Sequence, residues 1–234
     1  MSISAVAVRP ERRSVSRAQT RQRLLAVGRH AFARKGYAGT NLKDDILVPA
    51  GVSVGSFYHQ FRDKTDLFLE ILREHSETFR AMMHATHNPA AAGDPVELAR
   101  HSFATVFRVA EENDDLFRIM ARERESDDAR VRTYLRDNYR QWIASLAADY
   151  HRMGLIAAED AHTAELAAEL ISALTAGTIL TYLDYPVEQR PRVRARLLDG
   201  LVQFTLGGVP GLAGGVHTGR PRRRRTTRSK KGVR

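Results

Sequence analysis

The sequence predicts an all-α protein with a small N-terminal helix-turn-helix domain and a larger C-terminal helical domain. Apolar residues recur at helical spacing along most of the 234 residues. Residues that favour helix ends separate these apolar segments. One segment, AGVSVGSFYHQF at 50–61, is too polar for a core strand and too rich in glycine for an ordinary helix. It is typical of a short helix that presents polar side chains on one side.

The first predicted helix covers about residues 17–35. Ser16 and Gln19 have the spacing of a capping box, in which each side chain accepts a hydrogen bond from an unpaired backbone amide. Gly36 follows and can adopt the left-handed conformation that ends many helices.

Two short helices are predicted next. Thr40 is a good N-cap for the second helix, and Pro49 should end it because proline disfavours the helical conformation at Val48. Ser53 should cap a third helix over 54–60. Two short helices joined by a glycine turn and braced by a helix on either side form a helix-turn-helix.

The remaining helices are longer. Asp63 should cap a fourth helix, and the segment 88–95 reads as a linker because it is rich in Ala, Pro and Gly. Five further helices are predicted at 96–112, 114–124, 127–153, 160–183 and 191–206.

The third helix has the chemistry of a nucleic-acid surface. Phe57 and Phe61 should anchor it to the core, which leaves Tyr58 free to contact a phosphate and His59 free to reach a base edge. Gly55 has no side chain, so its backbone can approach DNA closely. The candidate DNA-binding residues are Thr40, Lys43, Ser53, Val54, Gly55, Ser56, Tyr58, His59 and Lys64.

The segment from Thr20 to about Leu72 resembles the DNA-binding domain of the tetracycline-repressor (TetR) family of transcriptional regulators. The matching residues are Phe32, Gly36, Tyr37, Thr40, Ile46, Ala50, Gly51, Val52, Ser53, Gly55, Ser56, Tyr58, Phe61, Lys64 and Leu67. Leu47 and Pro49 depart from the family pattern, which suggests that the second helix is shortened or shifted. Val54 stands where a polar residue is common, so it offers only an apolar contact, for example to a thymine methyl group.

The same resemblance implies that the C-terminal half holds a ligand pocket and that its last two helices form a homodimer. Candidate pocket residues for an apolar or amphipathic effector are Phe103, Phe107, Met120, Tyr134 and Trp142. Apolar stripes at 166–182, which includes Leu174, and at 197–205, which includes Leu201, fit a four-helix interface between two chains. The alternative is an internal helical hairpin in a monomer.

Positive charge is concentrated at the two ends of the chain. The whole chain carries +10, the segment from Gly207 onward +9 and residues 1–23 +5, so residues 24–206 carry −4. This distribution suggests a polyanion partner reached by the ends; the alternative is solubilising disorder. The predicted organisation is a basic disordered arm at 1–15, the helix-turn-helix domain at 16–62, the ligand-binding and dimerisation domain at 63–206 and a basic disordered tail at 207–234.

Several classes of protein are disfavoured. The chain has no cysteine, no stretch of 18 apolar residues and no signal-peptide core, which favours a cytoplasmic protein without membrane association. We expect no metal site: His84 and His87 read as a frayed, solvated helix end, and His162, Glu165 and Glu169 as an exposed charged face. No cofactor or enzymatic motif is present, so we expect no catalysis.

These features together predict a ligand-responsive transcriptional regulator that binds a palindromic operator in double-stranded DNA as a homodimer. Repression rather than activation follows from the resemblance alone. The alternative is a nucleoid-type protein that binds nucleic acid non-specifically through its basic ends.

Overall fold

The computed structural model describes residues 10–87 and 94–214, and the side chains of 17–87 and 94–207 within them. These residues form helices without a strand, which confirms the predicted all-α class with its N-terminal helix-turn-helix. The helices are α1 Pro10–Gly39, α2 Leu42–Leu47 continuing as Val48–Ala50, α3 Val54–Tyr58, α4 Lys64–Thr86, α5 Pro95–Glu112, α6 Asp114–Arg122, α7 Ala129–Arg152, α8 Ala161–Leu183 and α9 Arg190–Gly214. Short 3-10 turns follow α6 and precede α9.

Some predicted segments fall partly or wholly outside these ranges. Of the predicted disordered tail at 207–234, residues 207–214 instead continue α9, and 215–234 lie outside the described residues, as does most of the predicted linker at 88–95. The described part of α1 begins at Pro10, so it includes part of the predicted arm at 1–15 and places Ser16 inside the helix rather than at its cap.

Helix α1 is interrupted at Gly36, as predicted. This residue has φ 74° and ψ 173°, a backbone conformation that is almost restricted to glycine. The turn directs the amide of Tyr37 toward Glu123, whose Oε1 accepts it at 2.9 Å. The end of α1 is thereby fixed to the segment that follows α6.

Helix α2 differs from the prediction in two ways. Asn41, not Thr40, is the N-cap: Thr40 is buried and donates its hydroxyl to the carbonyl of Gly36 at 2.6 Å. Pro49 does not end the helix, and Val48 before it is helical with φ −63° and ψ −51°. The reason is the π-helical turn over Leu42–Leu47, which is wider than an α-turn and relieves the clash between a proline ring and the preceding turn. The helix ends at Gly51 instead, in the left-handed conformation.

The caps predicted for α3 and α4 are confirmed. Ser53 Oγ accepts the amide of Ser56 at 3.2 Å, and Asp63 Oδ1 accepts the amide of Asp66 at 2.7 Å. Asp66 in turn accepts the amide of Arg62 at 3.0 Å, so the start of α4 is capped in both directions. These caps fix where the turn between α3 and α4 lies.

One hydrophobic core extends from the helix-turn-helix into the larger domain. Phe32 and Phe68 pack edge to face at 4.8 Å between α1 and α4. Leu116 and Ile119 of α6 and Val131 of α7 are buried in this same core. A second core joins α4, α5, α8 and α9, and a third joins α7 and α8. Helix α6 is therefore where the two halves of the molecule share side chains.

Substitution of Gly36 tests the turn that ends α1. Gly36→Ala should lower the free energy of unfolding by about 1–3 kcal/mol, since an L-residue is strained at this φ and ψ. Its Cβ would also lie 3.1 Å from Glu123 Oε1. The control is Gly39→Ala, where the nearest atom to the added Cβ is 3.7 Å away. Urea denaturation of both variants measures the difference, and equal effects would contradict the assignment.

Candidate nucleic-acid interface and ligand cavity

Helix α3 presents one face to solvent. Phe57 is fully buried, whereas Val54 and Tyr58 of the same helix are 53% and 56% exposed. The Tyr58 ring packs edge to face on Phe57 at 5.3 Å, which holds the phenol at the surface. Six of the predicted DNA-binding residues are exposed on and around α3: Ser53, Val54, Gly55, Ser56, Tyr58 and His59.

Gly55 lies at the open side of this face. A Cβ added there would meet no atom within 4 Å, so packing does not explain the glycine. The absence of a side chain instead leaves the backbone accessible to a close partner. Ser53 and Ser56 flank it, and their hydroxyl oxygens are 2.9 Å apart.

The C-terminal end of α3 is tied to α1. Arg17 donates to the carbonyl of His59 at 3.0 Å, and Gln60 donates back to the carbonyl of Arg17 at the same distance. These two bonds orient the exposed His59 relative to the long helix behind it.

Two predicted contact residues serve the interior of this domain. Thr40 is only 2% exposed. Lys64 donates to the carbonyls of Tyr37 and Thr40 at 2.8 and 2.9 Å, and its ammonium lies 4.6 Å from the centre of the Tyr37 ring. Burial lowers the pKa of Lys64. Both residues therefore support the loop after α1 instead of joining the row on α3, whereas Lys43 is exposed on α2.

The larger domain encloses an apolar cavity of about 300 Å³ between α4, α5, α6, α7, α8 and α9. Two of the predicted lining residues, Phe103 and Trp142, contact it. The other three do not. Phe107 is fully buried and packs on Tyr182 at 4.9 Å, while Met120 and Tyr134 pack against the core shared with the helix-turn-helix.

Sequence reasoning missed Phe79 of α4, and on α6 it chose Met120 where Phe117 lines the cavity. Phe79 of α4 packs on Trp142 at 5.2 Å and on Phe117 of α6 at 6.2 Å. The indole of Trp142 donates to Ser172 of α8 at 2.8 Å, which fixes the ring in the wall. The spacing of Phe79 on α4 marks it as inward-facing but does not say which neighbour it meets.

The end of α4 carries a polar cluster at the cavity, not a frayed end as predicted. His87 is 4% exposed and its Nδ1 lies 2.7 Å from Asp149 Oδ2 of α7. Arg152 pairs with Asp149 at 2.8 Å and donates to the carbonyl of His87 at 2.8 Å. His84 lies 3.3 Å from Asp149 but is largely exposed. Asp149, the partner that holds His87, is 62 residues away in sequence, so no local sequence pattern could predict this contact.

Polar contacts connect α6 with the helix-turn-helix. Phe117 lines the cavity, while Asp115, two residues earlier, forms two hydrogen bonds of 2.7 Å with the guanidinium of Arg29 in α1. Burial opposes ionisation of Asp115, but the hydrogen bonds and charge of Arg29 hold its pKa below the ordinary value. After α6, Asp128 accepts the hydroxyl of Tyr37 at 2.8 Å.

A stripe of small and apolar residues on α8 and α9 has no partner within the described chain. Leu170 is 54% exposed and Phe204 is 66% exposed. A Cβ added at Gly177 or Gly200 would meet nothing within 4 Å. Helix α8 also contains an 18-residue window of mean hydropathy 1.5, only 28% of which is buried. By length and composition it could cross a membrane, a test that core helices of soluble proteins also pass.

Residues 24–71 match the family described as bacterial regulatory proteins, tetR family. Similar solved structures include a TerR/AcrR-family transcriptional regulator from Aquifex aeolicus VF5, at 21% identity over 79% of this chain and 99% of that one, with a TM-score of 0.63. The fatty acid degradation regulator FadR from Bacillus halodurans has 18% identity over 81% and 95%, with a TM-score of 0.65. The regulator FadR from Bacillus subtilis in complex with stearoyl-CoA has 18% identity over 84% and 99%, with a TM-score of 0.58.

His75 gives a pH test of the junction between α4 and α6. Burial and the nearby charge of Arg29 lower its pKa from 6.5 to about 4. Between these pH values His75 is protonated in the unfolded chain but not in the folded chain. The free energy of unfolding should therefore fall as pH is lowered from 6.5 toward 4. His75→Gln should remove this component of the pH dependence, whereas His30→Gln, at an exposed histidine of α1, should retain it. Identical profiles for wild type and His75→Gln, measured by urea denaturation, would contradict the prediction.

Proposed function

This chain is a member of the TetR family of bacterial regulatory proteins, and we propose that it is a ligand-responsive repressor that binds a palindromic operator as a homodimer. The exposed face of α3 carries this proposal. Its exposed side chains are able to contact base edges, and Gly55 has no side chain, so the backbone there can lie close to DNA. Two copies of α3 related by a two-fold axis would enter successive major grooves, so the operator should be an approximate palindrome.

The unpartnered stripe on α8 and α9 supports the dimer. Exposed apolar side chains at Leu170 and Phe204 lose contact with water when a second chain covers them. Gly177 and Gly200 leave room for helices to approach closely. The sequence-based choice of Leu201 as an interface residue is replaced, because Leu201 is 4% exposed and packs inside its own chain. The four helices α8 and α9 of two chains then form the interface.

The cavity supports an apolar or amphipathic effector. Its volume of about 300 Å³ and its aromatic and aliphatic walls match the usual composition of small-molecule sites. Among proteins of similar fold, one FadR structure contains stearoyl-CoA. A protein that shares this fold therefore accommodates a molecule with a long apolar chain.

Effector binding would reach DNA through α6. A ligand that packs against Phe117 would shift α6. The opposite side of the same helix is bonded to α1 through Asp115 and Arg29, so α1 would move with it. Since α1 is tied to α3 by Arg17, movement of α6 changes the spacing of the two recognition helices in a dimer. The effector releases DNA because it binds better to the conformation with the wrong spacing.

The competing function is non-specific binding of nucleic acid through the basic ends of the chain. We place the proposed repressor in the cytoplasm, where it must find its operator among many other DNA sequences. Its affinity for a selected palindrome should therefore greatly exceed its affinity for random DNA. Uniform affinity across sequences would favour the competing function.

Substitutions on α3 test the base and phosphate contacts separately. His59→Ala should weaken operator binding by about 1–3 kcal/mol and relax preference at one operator position. Tyr58→Phe removes only a hydroxyl and should weaken all sequences about equally, since phosphate contacts carry no sequence information. Binding of wild type and both variants to a set of operator variants measures this. Equal, sequence-independent losses from both substitutions would overturn the assignment.

Charge placed on the exposed stripe tests the dimer. Leu170→Arg or Phe204→Arg would bury an unpaired charge at the interface and should give monomers. Val187→Arg is a matched control, because Val187 is 69% exposed in the turn before α9. Sedimentation at micromolar concentration reports the state of each protein. A wild type that is already monomeric would rule out this interface.

A further inference from the structure

The cavity wall has one basic group. Among the described residues that line it, His87 is the sole imidazole, and no Asp, Glu, Lys or Arg side chain takes part. The walls are otherwise aliphatic, aromatic or hydroxyl-bearing, with Tyr150 as the other ionisable side chain. Thr175 and Thr205 add buried hydroxyls without a described partner, and His87 is the basic side chain of the described wall, at the end formed by α4 and α7.

Asp149 orients the imidazole. Its carboxylate can only accept, so the Nδ1 of His87, 2.7 Å away, must carry the proton. The other ring nitrogen, Nε2, bonds to no described residue, and His87 is one of the residues that line the cavity. The same carboxylate is paired with Arg152 at 2.8 Å, so its charge is already balanced.

Charge balance determines what Nε2 is suited to bind. A second proton on His87 would leave a net positive charge against apolar walls, which is unfavourable without a counter-ion. Nε2 is therefore suited to a ligand group that brings its own negative charge. A carboxylate does so: with one proton on Nε2, it neutralises the imidazolium through a charge-assisted hydrogen bond.

We propose that His87 anchors the head group of the effector, and that the effector is an amphipath with an apolar body and one carboxylic acid group. This inference rests on the proposed function, because it assigns the chemistry of the ligand in the same cavity. The ligand enters as a carboxylate at neutral pH, so binding takes up one proton from solvent onto Nε2. Asp149 acts as a positioning residue that fixes the tautomer and stabilises the imidazolium.

Decanoate, 1-decanol and methyl decanoate share a ten-carbon chain and differ at the head group. The emission of Trp142, which lies in the cavity wall and is the one tryptophan of the chain, reports binding to the purified full-length protein. Decanoate should bind at least about tenfold more tightly than the alcohol or the ester, as expected for one charge-assisted hydrogen bond. Calorimetry in buffers with different ionisation enthalpies should show uptake of about one proton per bound decanoate.

Two variants complete the test. His87→Gln should lose at least about tenfold in decanoate affinity, take up no proton and keep its affinity for 1-decanol. His84→Gln is the matched control, because His84 belongs to the same cluster but is 62% exposed. If His87→Gln fails to fold, proton uptake by the wild type decides alone.

Two results would overturn the inference, and they are distinguishable. Equal binding of all three probes without proton uptake would remove the head-group anchor but leave the cavity as an apolar site. No response of Trp142 emission or thermal midpoint to any of the probes would remove the cavity from the proposed function as well.

Discussion

The bidentate pair between Arg29 and Asp115 joins the two halves of the molecule. It connects α1, which carries the helix-turn-helix, with α6, which forms part of the cavity wall. Around this pair the side chains of both halves pack into one core that includes Leu116 and Ile119. Without it, the charges of Asp115 and Arg29 would be left partly buried and unpaired, which is costly. The position of α3 relative to the cavity therefore depends on where α6 lies.

Helix α3 is short, so most of its order comes from its surroundings. A helix of five residues is not stable by itself, because nucleation costs more than one turn returns. Ser53 caps its start, Phe57 anchors it in the core and Arg17 holds its end. These contacts leave the remaining side chains free for a partner. Lys64 gives similar support to the neighbouring loop, because its two hydrogen bonds to backbone carbonyls stabilise the segment between α1 and α2.

Local chemistry was readable in the sequence, while contacts between distant helices were not. The caps at Ser53 and Asp63 and the turn at Gly36 depend on neighbouring residues, and the sequence predicted them. The prediction at Pro49 was wrong because a π-helical turn, which has no distinctive local pattern, accommodates the ring.

The cavity shows the same limit. Helix α6 has one broad apolar face, on which Met120 packs against the shared core and Phe117 lines the cavity, and spacing alone cannot tell these two environments apart. His87 is buried only because Asp149 and Arg152 on another helix satisfy it. Which of several inward-facing aromatics line an empty space depends on how six helices pack, and a single helical pattern does not contain that information.

The most direct test of this account is the effect of a cavity ligand on DNA affinity when the junction is altered. Affinity for a DNA fragment selected from random sequence would be measured with and without saturating decanoate, in wild type and in Asp115→Asn. Asparagine keeps the shape of the side chain but removes the ion pair with Arg29. The account predicts that decanoate weakens DNA binding at least about fivefold in wild type and much less in the variant, while decanoate affinity itself is retained. An undiminished effect of decanoate in Asp115→Asn would contradict it.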